Sequence, residues 1–153
     1  LGCPLKNLCQ GYLSGKPESY PLRSVKKKVP HIEAIAAVIQ KDGKVLIHQR
    51  PPHGLLGGLW EFPNWRIERK KDLKNLKEYL RQMVKRQIGL IVKCKEPLGS
   101  FKQTYSHFKL TLHVYHCQIV DGIGNGKWIP IRNLHQLPMS RIYRRIANAL
   151  SDA

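Results

Sequence analysis

From His107 onward the chain alternates strictly, with Phe108, Leu110, Leu112 and Val114 on one side and Lys109, Thr111 and His113 on the other. A period of two is the signature of an extended strand with one face buried and one exposed. The stretch Thr104-Tyr105-Ser106-His107-Phe108 places a hydroxyl, an imidazole and two rings at the mouth of that strand. Tyr105 and Ser106 therefore fall on the entering loop, where a rigid scaffold can present polar groups to a ligand.

The other elements follow from the same kind of pattern. Ile35 to Ile39 is an almost continuous apolar run, as in a strand covered on both faces. Lys41-Asp42-Gly43-Lys44 supplies an Asp-Gly hairpin turn, and Val45 to His48 returns as the partner strand. Arg50 to Pro63 is too rich in Gly and Pro for a regular element and too apolar for a free loop, so it is expected to pack on the domain. A helix is predicted from Asp72 to Ile88, with Leu73, Leu76, Leu80, Met83, Val84 and Ile88 on one stripe, Asp72 as N-cap and Gly89 as the stop. Strands follow at Leu90 to Leu98, His107 to Val120 and Lys127 to Pro130, and a short helix at Ser140 to Asp152. The order β-β-loop-α-β-β-β-α describes one α+β domain, a mixed or antiparallel sheet packed with helices.

Charge narrows the ligand. Lys and Arg number 27 against 10 Asp and Glu, a formal net charge of +17. Such a surface attracts polyanions, with an affinity that falls as salt rises. Lys26, Lys27 and Lys28 in the basic run before Pro30, and Arg141, Arg144 and Arg145 near the C-terminus, are the candidates for phosphate contacts. No run of about 18 apolar residues exists for a membrane span. With no secretory signal pattern, Cys94 and Cys117 read as small core residues of strands and the four cysteines as thiols or metal ligands.

The strand, glycine-bearing loop, helix and following Gly89 also match the surroundings of the Nudix hydrolase signature, whose helix glutamates hold a divalent cation at a pyrophosphate. Anchored on Gly89-Leu90, the glutamate pair becomes Arg86-Gln87, the earlier Arg-Glu pair becomes Gln82-Met83, and Lys74 stands where an upstream glutamate belongs. Glu78 remains, beside Lys74, Lys77 and Arg81, and is expected in a surface ion pair. The fold is expected to be Nudix-like and its metal chemistry lost.

Three segments in order carry a more specific resemblance. Cys3-Pro4-Leu5-Lys6-Asn7-Leu8-Cys9, Arg50-Pro51-Pro52 through Gly57-Gly58-Leu59-Trp60-Glu61-Phe62-Pro63, and Thr104 to Phe108 together resemble the C-terminal part of a MutY-type adenine DNA glycosylase. The resemblance implies an iron–sulfur-loop remnant at 1–13, an interdomain linker at 14–30 and a Nudix-like 8-oxoguanine-recognition domain at 31–153. It implies that Ser106 hydrogen-bonds the altered N7–O8 edge of the oxidised base, that His107 donates to or positions groups there, and that Tyr105 packs on the nucleotide or braces the loop. Oxidation makes N7 a donor and adds an O8 acceptor, and a hydroxyl can meet both. Tyr105 departs from the family's usual phenylalanine, so its hydroxyl needs a partner.

Further implications concern the parent chain. Cys3 and Cys9 would be ligands of its [4Fe–4S] cluster, but two thiolates do not make the four such a cluster needs, so no cofactor is expected in this chain. The catalytic helical domain is also expected to be absent, and neither Glu33 nor Glu61 sits in a recognisable catalytic motif. The partners implied are duplex DNA with 8-oxoguanine opposite adenine and the parent's own N-terminal catalytic domain. The chain is expected to be an intracellular monomer acting with DNA, in the cytoplasm or nucleoid if bacterial, without membrane association. The rival readings are a divergent Nudix hydrolase of oxidised nucleotides and a protein-binding platform on the Leu55 to Phe62 loop.

Overall fold

The computed structural model describes residues 2–19, 29–69 and 72–151. A single-turn helix, α1 (Gln10–Leu13), precedes the domain, which contains β1 (His31–Lys41), β2 (Lys44–Gln49), β3 (Trp60–Glu61), β4 (Asn64–Arg66), α2 (Leu76–Ile88), β5 (Leu90–Thr104), β6 (Lys109–Gly122), β7 (Lys127–Pro130) and α3 (Arg141–Ser151). The spatial order β3-β2-β1-β6-β5 makes β5 an edge strand, with β4 paired to β1 and β7 to β2. β1 and β6 run parallel, from His31 opposite Lys109 to Gln40 opposite Gln118, while the other pairings between these strands are antiparallel. The sheet is therefore mixed.

β1 explains why the core has two halves. Ala34 to Ile39 are all buried, and alternate residues feed opposite faces. Ala34, Ala36 and Val38 meet Leu112, Val114 and Phe62 under α3, through Ile142, Ile146 and Leu150. Ile35, Ala37 and Ile39 meet Leu80, Val84 and Ile88 of α2. Each fully buried Ile, Leu or Phe contributes about 1.5–3 kcal/mol of burial, so the two helices are anchored from both sides of one strand. The Asp-Gly turn forms as expected, with Asp42 and Gly43 both at positive φ (49° and 70°), the geometry of a two-residue hairpin turn.

Three boundaries differ from the sequence-based expectation. The helix α2 starts at Leu76, after a 3₁₀ turn at Asp72–Lys74, because the Asn75 side chain accepts the Glu78 backbone N–H and takes the N-cap. Asp72 instead pairs with Arg69 at 3.1 Å, and Leu73 lies outside the helix. β5 runs past Leu98 to Thr104, with register breaks around Pro97 and Gly99. An edge strand tolerates a proline and a bulge there because one side of it has no ladder to break. β6 starts at Lys109, which leaves His107 in the turn. The stop at Gly89 is as expected: φ is 87° and its N–H reaches the Val84 carbonyl at 3.2 Å.

Candidate nucleic-acid interface

The turn between β5 and β6 is closed by the Tyr105 N–H donating to the Phe108 carbonyl at 2.8 Å. The two rings stack with centroids 4.6 Å apart and planes 28° from parallel. Ring stacking consumes the apolar side chains at the base of the turn, so Ser106 and His107 are left exposed at its tip. Tyr105 itself is half-buried. Burial raises its phenol pKa, and the Ser140 hydroxyl and Arg50 partly oppose that rise. The Ser140 Oγ it faces is buried and has no partner in strict hydrogen-bond geometry.

Behind the turn lies a polar knot built on the Arg50 to Pro63 loop. Glu61, only 5% exposed, accepts Arg50 Nη1 at 2.8 Å and His48 Nε2 at 3.1 Å. A carboxylate only accepts, so His48 carries its proton on Nε2. Burial pushes the Glu61 carboxyl up, but the bonds from His48 and Arg50 outweigh it and hold the group below its ordinary value. The Glu61 bond raises the Arg50 pKa in return. Tyr143 of α3, deeply buried beside Glu61, has its phenol pKa pushed well above the usual value by desolvation. Glu61 is thus a structural ion-pair centre. Gly57 keeps the loop compact, since a Cβ there would lie 2.3 Å from the Pro52 carbonyl oxygen.

Not every basic candidate is available to phosphate. Arg144, partly exposed, donates to the Leu134 carbonyl at 2.8 Å and to the Leu137 carbonyl, and so ties the segment before α3. These bonds engage Arg144 within the fold and weigh against it as a phosphate contact. Arg141 is exposed. Arg145 is exposed too, lies over the Phe101 ring at 5.4 Å and donates to the Lys102 carbonyl at 3.3 Å. That contact puts Arg145 beside the β5 end that carries the turn, together with Lys102 and, across the ladder, Lys109. Sequence pattern does not reveal this clustering because the residues come from three elements. Lys26, Lys27 and Lys28 lie outside the described residues.

The donor set for a Nudix metal does not fit. The shallow pocket of ≈ 240 Å³ beside Gln87 is lined by Ile47, His48, Asn64, Trp65 and Ile88 among others, with no Asp or Glu. Gln87 accepts the Trp65 indole N–H at 2.9 Å, so an amide with a structural role occupies a position of the expected glutamate pair. Glu78 is engaged with Arg81 at 3.4 Å and Gln82 at 3.0 Å on the surface. Hard divalent cations need several carboxylate oxygens, and these residues do not supply them. Cys3 and Cys9 are exposed free thiols, and two thiolates fall short of a four-thiolate cluster set. Glu33, the other candidate carboxylate, accepts His113 Nε2 at 2.8 Å, and His113 Nδ1 meets Ser100 Oγ at 2.9 Å, a polar ladder across the sheet.

The NUDIX domain model matches residues 34–149, from β1 through α3. The chain belongs to the NUDIX domain family. Human adenine DNA glycosylase is 31% identical to this chain over 136 residues, covering 81% of the chain and 24% of that protein. CTP pyrophosphohydrolase of Escherichia coli (strain K12) is 32% identical over 85 residues, covering 56% of the chain and 61% of that protein. The C-terminal domain of mouse MUTYH, solved in complex with human PCNA, matches with a TM-score of 0.61 at 25% identity, covering 79% of this chain and 88% of that one. The chain therefore spans about a quarter of the length of the human glycosylase. Among the described residues, no helix is long and apolar enough to cross a membrane.

Proposed function

We propose that this Nudix domain is the lesion-reading part of an adenine DNA glycosylase acting in base excision repair. It binds duplex DNA and reads 8-oxoguanine opposite adenine, while removal of the adenine belongs to a separate helical domain of the parent protein. The observation that carries the reading is the β5–β6 turn. Ser106 and His107 stand exposed on a turn braced by the Tyr105–Phe108 stack, in a chain of net charge +17. Ser106 meets the N7–O8 edge of the oxidised base, His107 flanks it, and Tyr105 holds the turn from behind. Arg141 and Arg145, with Lys102 and Lys109 beside the turn, hold phosphates, and Lys26, Lys27 and Lys28 extend that contact along the linker. Phosphate contacts of this kind position the protein, and base contacts specify the sequence. Residues 1–13 and 14–30 are then the end of the parent's cluster loop, with Cys3 and Cys9 as [4Fe–4S] ligands there, and the linker. The domain itself acts as a monomer on DNA inside the cell.

Fluorescence anisotropy with two duplexes, one carrying 8-oxoguanine and one guanine opposite adenine, tests this across a salt series. Tighter binding of the oxidised duplex that persists at moderate salt is expected. Equal binding that fades together with salt would leave only a basic DNA clamp.

The similarity to CTP pyrophosphohydrolase favours one second reading, nucleotide hydrolysis. The missing carboxylates around Gln87 weigh against it. A protein-binding platform on the Leu55 to Phe62 loop has less apolar surface to use than the sequence implied. Leu55 is exposed, but Phe62 is fully buried and Lys127 Nζ sits over the Trp60 ring at 5.2 Å.

A further inference from the structure

Cys94 of β5 and Cys117 of β6 are direct register partners across the antiparallel ladder, and their Sγ atoms are 3.6 Å apart. Both are free thiols. Antiparallel partners bring their Cα atoms to about 4.5–5.5 Å, within the 4.4–6.8 Å range in which a disulfide closes. The register breaks immediately after Cys94, so β5 has local freedom to draw the sulfurs together.

The two thiols are unlike in ways that suit an attacking and a resolving pair. Cys94 is half-buried, facing the Lys77 carbonyl at 3.7 Å at the start of α2. Cys117 is 3% exposed and lines a cavity of ≈ 620 Å³ with Gln40, Lys95, Glu96, Pro97 and Leu98. The Cys117 S–H donates to Cys94 Sγ, which lowers the Cys94 pKa; Arg81 and Lys77 lower it further against the opposing effects of burial and Glu78. The same hydrogen bond and its own burial push Cys117 up.

We propose that Cys94 and Cys117 are a peroxide-sensitive dithiol that closes reversibly to an intramolecular disulfide. The Cys94 thiolate attacks one oxygen of hydrogen peroxide and the O–O bond breaks. Cys94 becomes a sulfenic acid, and the departing hydroxide takes up a proton to leave as water. As the Cys94 oxygen takes up the Cys117 proton, the Cys117 thiolate so formed attacks the Cys94 sulfur, the S–O bond breaks, and that oxygen leaves as a second water. Two thiols and one peroxide give one disulfide and two waters. The bond encloses the whole end of the β5–β6 hairpin, including the Tyr105–Phe108 turn, so it ties the strands that support that turn and restricts the unfolded chain.

The test uses the unsubstituted chain with a small excess of hydrogen peroxide, followed by N-ethylmaleimide and non-reducing peptide mapping. A linked pair of peptides containing Cys94 and Cys117 is expected, in monomeric protein, with the unfolding temperature raised by several degrees and both changes reversed by dithiothreitol. In a Cys117→Ser variant, Cys94 is expected to stop at a sulfenic acid captured by dimedone. Maleimide on both Cys94 and Cys117 after peroxide would overturn the proposal, as would disulfides only between molecules or to Cys3 and Cys9. Because mapping reads the native pair in the unsubstituted chain, its outcome stands even where the serine variant fails to fold.

Discussion

Tyr105 and Phe108, three positions apart, stack face to face at 4.6 Å across a turn that their own main chain closes. The stack fills the base of the turn and leaves the two intervening polar side chains outward. Tyr105→Ala is therefore expected to loosen the turn and reduce preference for the oxidised duplex, at roughly 1 kcal/mol of stability beyond the lost burial. Tyr105→Phe keeps the ring and removes only the hydroxyl facing Ser140, so its stability should stay within about 1 kcal/mol of the parent. Chemical denaturation and anisotropy on both variants check the pair.

Replacing Ser106 by alanine removes an exposed hydroxyl that makes no side-chain hydrogen bond among the described residues. The unfolding temperature should not move. Preference for 8-oxoguanine should fall by about tenfold or somewhat more, the worth of a base contact of roughly 1–3 kcal/mol. Unchanged preference in the folded variant would remove Ser106 from lesion recognition.

The Glu61 carboxyl has its pKa depressed by His48 and Arg50 in spite of burial. A group whose folded pKa lies below its unfolded value stabilises the fold above the unfolded pKa, near 4.3 for glutamate. That contribution is lost as pH falls through the lower folded value. Denaturation midpoints should consequently drop below about pH 4.3 in the parent, and drop less steeply in Glu61→Gln. At neutral pH the Gln variant, which loses a charge-assisted bond, should cost about 1.5–3 kcal/mol.

Neighbouring arginines of α3 should behave oppositely. Arg145→Ala is expected to reduce the slope of log affinity against log salt by about 0.9, the effect of one lost phosphate contact, with little change in stability. Arg144→Ala takes the side-chain donor from the Leu137 carbonyl and leaves the Leu134 carbonyl with only the Leu137 N–H at 3.2 Å, and should cost about 1–3 kcal/mol while the salt slope stays put.

Magnesium should not confer nucleotide hydrolysis, because the pocket beside Gln87 offers no carboxylate. Incubation with CTP and with 8-oxo-dGTP, monitored by chromatography, is expected to return both intact. Magnesium-dependent turnover at a rate proportional to protein would establish the hydrolase reading.

Local pattern was enough for much of this molecule. Alternation from Phe108 marked β6, the unbroken apolar run marked a strand covered on both faces, Asp42-Gly43 set the hairpin, and Gly89 ended α2. Each is dictated by residues within a few positions of one another. The start of α2 was also legible in principle: Asn75 followed by Glu78 has the spacing of a helix cap, but Asp72 offered a competing cap three residues earlier.

What tertiary structure alone decided are relations between residues distant in sequence. The parallel pairing of β1 with β6 joins segments 78 positions apart at His31 and Lys109, and no local pattern encodes a partner. The pairing of His48 and Arg50 with Glu61, the loss of Arg144 to main-chain carbonyls, and the meeting of Cys94 with Cys117 follow from that same assembly. Periodicity determines which face of an element is buried, because a side chain's direction is set by its own backbone. Which groups meet there is set by the packing of separate elements, and that determines whether a charge is free, paired or structural.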